Sequence, residues 1–171
     1  MVKVEVPFNY LMDKTIDAMR SPGLLLTSVS LDGRANVMAI GWGLLGMVWR
    51  KPIFLVLVRP SRFTHRLISE TGEFVVNVPK KDMGDIVSYC GSVSGSKNDK
   101  IREKGIRTVP GIKVKVPSIA DCPIHYECKV VYKMQIDPAV ISKDLLEIYK
   151  DGDYHTLFFG EVLATFAEEQ G

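Results

Sequence analysis

Residues 59–66, Arg-Pro-Ser-Arg-Phe-Thr-His-Arg, combine three arginines, one histidine and two hydroxyl groups with no acidic residue. The segment follows an apolar run and leads into a helix candidate. Free backbone N–H groups and the positive end of a helix dipole favour an anion at such a position, and guanidinium groups pair well with phosphate oxygens. The turn is therefore a candidate phosphate site. A basic turn that is simply solvated explains the same residues equally well.

A second candidate is the loop at residues 90–100, Cys-Gly-Ser-Val-Ser-Gly-Ser-Lys-Asn-Asp-Lys. It consists mainly of small residues, ends in the cation Lys100 and runs into another helix candidate. This composition suits a loop that closes over a ligand. Loops rich in glycine and serine are more often plain connections, so this segment alone is weak evidence for a site.

Residues 41–46, Gly-Trp-Gly-Leu-Leu-Gly, match the G-x-G-x-x-G fingerprint of dinucleotide-binding folds and follow a strand candidate. The fingerprint needs a helix that opens at its third glycine, but Pro52 interrupts the segment that follows. The acidic residue expected about 20 positions further on is also missing, because residues 62–65 are Arg-Phe-Thr-His. We therefore interpret the glycines as positions where the backbone bends around a flat group or turns a barrel corner.

Cys122, His125 and Cys128 have a spacing that resembles a metal cluster. In a strand, however, His125 and Cys128 point to opposite faces, and no fourth ligand is near in sequence. We expect structural cysteines and no metal.

Nucleophilic catalysis has no support in the sequence either. There is no Gly-x-Ser-x-Gly elbow, and the histidines at 65, 125 and 155 have no obvious serine or cysteine partner. We assign no catalytic side chain. His155 lies just before the last strand candidate and is interpreted as either a rim residue or a ligand contact.

The bulk properties of the chain restrict its class. Its 171 residues suit one domain with one core, and a net charge of +2 does not favour a nucleic acid or an anionic membrane as partner. The apolar runs are far shorter than the ~20 residues needed to cross a bilayer, and the N-terminus has no secretory signal. Three cysteines make an odd count that fits a reducing compartment. We expect a cytoplasmic protein.

Periodicity and turn residues predict the elements that position these segments. The predicted strands cover residues 24–30, 35–40, 53–58, 73–78, 124–136 and 156–166. The predicted helices cover residues 9–20, 62–70 with Ser61 as N-cap, 81–89, 98–104 and an excursion within 137–148. Asp32-Gly33 marks a hairpin between the first two strands.

About six strands and a few short helices do not alternate regularly along the chain. This organisation favours an antiparallel barrel, closed or nearly closed, over a parallel sheet. The predicted fold is therefore mainly β with short helices.

Several segments occur in an order typical of one family. They are residues 21–28, 36–42, 59–64 and 73–79, followed by the loop at 94–100 and residues 155–162. Together they resemble the flavin reductase-like family, which has the FMN-binding split β-barrel, and in particular its flavoredoxin-like branch. The resemblance extends from about residue 20 to residue 165.

The resemblance implies a homodimer in which FMN lies against residues 36–42. It also implies that Ser61, Arg62 and Thr64 hold the phosphate, and that Lys100 and the Ser94-Gly95 loop close the site. The full set of implied cofactor-binding residues is Asn36, Val37, Met38, Ala39, Gly41, Trp42, Arg59, Ser61, Arg62, Thr64, Ser94, Gly95, Lys100 and His155.

The function that the resemblance implies is electron transfer through bound FMN. In the leading hypothesis the protein is an NADPH- or NADH-dependent flavin or ferric reductase that acts on a small molecule. The alternative is a flavin electron carrier that a protein partner reduces. A split barrel that binds haem or another ligand is a remoter possibility.

Overall fold

The structure is a computed structural model that describes residues 2–168. The strands are β1 Lys3–Val6, β2 Leu24–Val29, β3 Ala35–Ile40, β4 Gly43–Val48, β5 Lys51–Val58, β6 Glu73–Val78, β7 Thr108–Val109, β8 Ser118–Ile119, β9 Ile124–Gln135 and β10 Thr156–Glu168. The α-helices are α1 Met12–Arg20, α2 Phe63–Thr71, α3 Gly84–Ser92, α4 Lys100–Glu103 and α5 Lys143–Leu146, with short 3₁₀ helices at Lys81–Met83 and Glu147–Tyr149.

Eight strands form one antiparallel sheet in the order β3-β2-β6-β9-β10-β5-β4, and β1 pairs with β10. In the described chain β3 pairs only with β2, and β4 pairs only with β5. These two end strands are nevertheless consecutive in sequence, because only Gly41 and Trp42 join them. The sheet therefore curves until its two ends meet at this connection without a shared ladder. The fold is the antiparallel split β-barrel predicted from the sequence, and β7 and β8 form a separate small sheet.

The barrel is filled by side chains from both halves of the sheet. Phe54, Phe74, Tyr126 and Phe158 are fully buried in its main core. Gly160 leaves the space that this packing needs, since a Cβ there would lie 2.3 Å from the Phe74 ring. The core is therefore a close-packed support for the groups at the barrel rim.

The predicted starts of the first two helices are wrong. The first helix begins at Met12 and not at residue 9, because Leu11 has a left-handed backbone with φ of 53°. The second helix begins at Phe63 with Arg62 as its N-cap residue. Ser61 is not the cap, because its hydroxyl donates to Asp153 instead.

The glycine segment at residues 41–46 differs from its prediction as a bend. Only Gly41 and Trp42 form the connection, and the rest of the segment belongs to strand β4, which pairs in register with β5. The helix that a dinucleotide fingerprint needs is thus replaced by a strand. Gly43 and Gly46 have no side chains, so the sequence of this segment lacks the alternation of apolar and polar residues that would have predicted strand β4.

Strand β9 is not half exposed along its whole length, as its alternation predicted. Residues 124–128 are buried on both faces, and residues 131–135 are exposed on both. The ladder with β6 ends at Lys129, so the strand continues beside β10 alone. The outer face of its first half is covered by a loop in which the Ile112 N–H donates to the buried Glu127 carboxylate at 2.9 Å.

Within residues 2–168 the longest helices have nine residues, less than half of the ~20 that a bilayer span needs. Cys90, Cys122 and Cys128 are free and buried, as expected for structural cysteines. Burial raises the pKa of Cys122 to about 12. Nε2 of His125 is hydrogen-bonded to the Ile119 carbonyl at 2.7 Å. The described residues contain no cluster of side chains suited to a metal ion.

Candidate functional site

Two adjoining cavities lie where the ends of the sheet meet. The larger has a volume of about 190 Å³ and is lined by Met38, Ala39, Ile40, Gly41, Trp42, Leu57, Arg59, Arg62 and His155. The smaller, about 100 Å³, is lined by Asn36, Met38, Ser61, Arg62, Phe63, Thr64, Cys90, Gly91, Val93, Ser94, Gly95 and Lys100. Met38 and Arg62 belong to both walls, so the two cavities adjoin each other.

Strand β3 supplies part of both walls, with Asn36 and Met38 at the smaller cavity and Met38, Ala39 and Ile40 at the larger. Asn36 and Met38 face the cavities, whereas the Val37 side chain is fully buried in the core with Leu25 and Cys90. Every other residue of the predicted cofactor-binding set lines one of the two cavities. The segments at 36–42, 59–64, 94–100 and the histidine at 155 are thus brought together from distant parts of the chain.

The smaller cavity is rich in hydrogen-bond donors. The Asn36 amide donates to the Thr64 hydroxyl at 2.9 Å, and both side chains are buried. Arg62 is the N-cap residue of α2; its own N–H and that of His65 are hydrogen-bonded, whereas the Phe63 and Thr64 N–H groups have no partner within the helix. Among the residues that the structure describes, no aspartate or glutamate lines either cavity. This composition suits a phosphate group.

Gly95 allows the 94–98 loop to approach β3 closely. A Cβ on Gly95 would lie only 1.8 Å from Oδ1 of Asn36 and 3.2 Å from the Phe63 ring. The Gly95 carbonyl also accepts a hydrogen bond from Arg34 at 3.3 Å. The loop therefore forms a wall of the smaller cavity and contacts the Asn36 amide at the base of that cavity.

Lys100 is not a free cation, because its ammonium group is hydrogen-bonded to the backbone. Its ammonium donates to the carbonyls of Cys90 at 3.0 Å and Val93 at 3.1 Å, and burial lowers its pKa. It ties the end of α3 to the start of α4. Lys100 thus supports the loop that walls the smaller cavity.

Asp153 is a functional neighbour that the sequence did not reveal. Its carboxylate accepts hydrogen bonds from the Ser61 N–H at 3.1 Å and the Ser61 hydroxyl at 2.5 Å. Burial acts to raise the pKa of Asp153, but the Ser61 hydrogen bonds and the Arg59 charge hold it below the usual value. Ser61 therefore directs its donors to this carboxylate. The only local signal, a turn at Asp151-Gly152, gave no indication of the partner.

His155 and Trp42 close the larger cavity. Their ring centroids are 5.3 Å apart, and Trp42 remains 49% exposed at the rim. Burial and the nearby Arg59 lower the pKa of His155 to about 4, so the imidazole is neutral at neutral pH. Tyr149, which was also not predicted, contacts Nδ1 of His155 through its hydroxyl at 2.8 Å.

The two cavities differ in what they can bind. The larger offers flat and apolar surfaces from Met38, Leu57 and Trp42 beside two arginines. The smaller offers amide, hydroxyl and guanidinium donors. Their combination matches a ligand that joins a planar ring system to a phosphate.

The chain is similar to an uncharacterized protein of Archaeoglobus fulgidus, with 36% identity over 130 residues. The match covers 76% of this chain and 64% of that protein, so the chain spans slightly less than two thirds of the relative's length. Among solved structures it is similar to the flavoredoxin from Methanosarcina acetivorans, with a TM-score of 0.70 and 32% identity over 87% of this chain and 69% of that one.

The flavoredoxin of Desulfovibrio vulgaris (Miyazaki F) also gives a TM-score of 0.70, with 28% identity over 86% of this chain and 70% of that one. A family model described as "Flavin reductase like domain" matches residues 16–171. That match includes the second half of α1, every strand except β1 and every residue that lines the two cavities. On this evidence, the chain belongs to the flavin reductase-like family.

Proposed function

We propose that this protein binds FMN across the two cavities and transfers electrons through it, as a reductase that uses NADPH or NADH. The observation that supports this most strongly is the pairing of an apolar, aromatic cavity with a cavity of phosphate donors that contains no carboxylate among its described lining residues. Bound FMN would supply the hydride acceptance and the electron transfer. The protein would supply binding, orientation and charge.

The phosphate is assigned to Arg62, Thr64 and Asn36 at the base of the smaller cavity, with the Ser94-Gly95 loop above them. Arg62 contributes a guanidinium group, and the backbone N–H groups at the start of α2 add partial positive charge. Ser61 is a weaker candidate, because both of its donors are engaged by Asp153. Ser61 would contact the phosphate only after its hydrogen bonds to Asp153 had broken.

The ring system is assigned to the larger cavity, beside β3 and the Gly41-Trp42 connection. Arg59 and Arg62 place positive charge next to this cavity, where it would stabilise negative charge that develops on a bound ring. His155 is neutral there because burial and Arg59 lower its pKa to about 4. No side-chain nucleophile is needed for this chemistry, because the cofactor itself would accept the hydride.

A flavin electron carrier that a protein partner reduces is the second candidate. The exposure of Trp42 at the rim favours it, because a partner protein could reach the edge of the larger cavity directly. The similarity to two flavoredoxins is consistent with either role.

The visible spectrum of the purified protein, recorded before and after anaerobic addition of NADPH or NADH, tests both functions. We expect flavin bands, present on purification or after addition of FMN, that bleach with the nicotinamide. Bands that persist with both nicotinamides but bleach with a reduced protein donor would favour the carrier. Failure to take up FMN would contradict the proposed site.

The proposed assembly is a homodimer formed through the outer face of β4. Leu44 and Val48 are 67% and 38% exposed on the face of this end strand opposite to the buried Leu45, and Trp49 extends the apolar surface to the rings of Tyr132 and Phe159. Monomeric proteins rarely leave a contiguous apolar face exposed on the end strand of a sheet. A second copy would cover it.

We expect Leu44→Asp combined with Val48→Asp to convert a dimer into a monomer. In a twofold interface each substitution occurs twice, so four carboxylates would enter the same apolar contact. Sedimentation velocity measures the change, and Val140→Asp, at an 83% exposed loop position, is the control that keeps the dimer. A variant that remains dimeric with an unchanged circular dichroism spectrum would exclude this face.

A further inference from the structure

Tyr149 makes a contact that the proposed function leaves unexplained. Its hydroxyl oxygen is 2.8 Å from Nδ1 of His155, and both side chains are buried. His155 lines the larger cavity, whereas Tyr149 is absent from the described lining of both cavities. The tyrosine therefore occupies one edge of the imidazole and leaves Nε2 as its other polar atom.

The direction of this hydrogen bond follows from the protonation states of the two groups. Burial raises the pKa of Tyr149, and the pKa of His155 is lowered to about 4, so both groups are neutral near pH 7. A neutral pair shares one proton between Oη and Nδ1. If Nδ1–H donated, the phenol proton would need another acceptor, and within residues 2–168 the hydroxyl has no other hydrogen-bond partner. The tyrosine is therefore the donor, and the imidazole carries its proton on Nε2.

Neighbouring groups hold this pair in place. The Tyr149 ring stacks on Tyr154 at 4.9 Å, and the Arg59 guanidinium lies over it at 5.0 Å. Arg59 is itself anchored by donation to the carbonyls of Asp153 at 3.1 Å and Ile148 at 3.2 Å. A cation over the ring withdraws electron density from it and makes the hydroxyl a better donor. The surroundings thus favour the same proton position.

We propose that Tyr149 is a positioning residue that fixes His155 as the neutral Nε2–H tautomer, so that the cavity wall presents an uncharged donor to a carbonyl oxygen of the bound ring system. The tautomer assignment depends only on the contacts of this chain. The donation to the ring rests on the proposed FMN site. An uncharged donor would orient the ring without adding to the positive charge of Arg59 and Arg62.

The tautomer is tested first, by ¹⁵N NMR of the histidine side chains in the protein without added ligand. The chain has three histidines, so a His155→Gln spectrum assigns the signal. We expect a protonated Nε2 and an unprotonated Nδ1 in the natural sequence, and a mixture of tautomers in Tyr149→Phe. Tyr154→Phe removes the hydroxyl from the neighbouring stacked ring and should leave the signal unchanged. A protonated Nδ1, or no change in Tyr149→Phe, would overturn the assignment.

Binding of FMN then tests the donation through a double-mutant cycle. We expect Tyr149→Phe to raise the Kd for FMN about three- to tenfold, the range for loss of one neutral hydrogen bond. His155→Gln keeps a side-chain N–H donor that has no tautomers, so adding Tyr149→Phe to it should change the Kd less than about twofold. Equal losses in both backgrounds would show that Tyr149 is merely structural. If the natural sequence binds no FMN, the donation fails with the proposed function, while the NMR result decides the tautomer independently.

Discussion

Replacing Arg62 with alanine should raise the Kd for FMN by about 10- to 150-fold and leave the Kd for riboflavin within about threefold of its original value. A hydrogen bond to a charged group contributes about 1.5–3 kcal/mol, and 1.4 kcal/mol corresponds to a tenfold change in Kd. Arg62 lines both cavities, and its guanidinium is the group best placed to pair with a phosphate. Because riboflavin lacks the phosphate, the difference between the two ligands isolates this contact.

Arg66 provides a matched control in the same basic segment. It lies one helical turn further along α2, outside the described lining of both cavities, and its side chain pairs with Glu70 at 3.7 Å. Arg66→Ala should leave both affinities unchanged, although it removes the same charge. Isothermal titration with FMN and riboflavin measures the six constants, two for the natural sequence and two for each variant. Equal weakening of both ligands by Arg62→Ala, or equal weakening by both variants, would contradict the phosphate assignment.

The bounds of β3 and β6 followed directly from the sequence because strong turn signals flank them. Asp32-Gly33 supplies a hairpin turn in which Gly33 has φ of 87°, and Pro79 ends β6. Strands with such boundaries need no information from the rest of the fold. The same local chemistry placed Arg62 and Thr64 at the beginning of α2, and hence at the base of a cavity.

Elements that depend on distant partners were not predictable in this way. Strand β4 is defined by its register with β5, and its two glycines carry no side chain that would show an alternation. Strand β9 changes from buried to exposed because its ladder with β6 ends, which no local pattern records. Periodicity reports the faces of a strand, but not which neighbours cover them.

The interactions around the candidate site show the same limit. Ser61 has the side chain of a good N-cap, yet its hydroxyl pairs with Asp153, which is 92 positions away. Tyr149 lies just after the predicted helical excursion within 137–148, and nothing in the sequence there marked it as a partner of His155. The sequence shows which hydrogen-bonding groups a side chain carries. Which partner they bond depends on the tertiary fold.

Gly95→Ala should weaken FMN binding about tenfold or more without unfolding the protein. The added Cβ would lie 1.8 Å from Oδ1 of Asn36, so either that amide or the loop must move. The amide is buried and bonded to Thr64 at 2.9 Å, which makes displacement of the exposed loop the easier response. Relieving such overlap typically costs about 1–3 kcal/mol, and the displaced loop would no longer form the wall of the smaller cavity.

Gly84→Ala is the control for the glycine substitution itself, because a Cβ at the start of α3 meets no atom within 4 Å. It should bind FMN normally and unfold at the same or a slightly higher temperature, since alanine favours a helix over glycine. Fluorescence quenching measures the FMN affinity of Gly95→Ala, and a thermal melt measures its stability, so the two effects of the substitution are separated. If Gly95→Ala binds FMN as tightly as the natural sequence, the 94–98 loop does not form part of the phosphate site. The closeness of Gly95 to Asn36 would then serve only to pack the loop against β3.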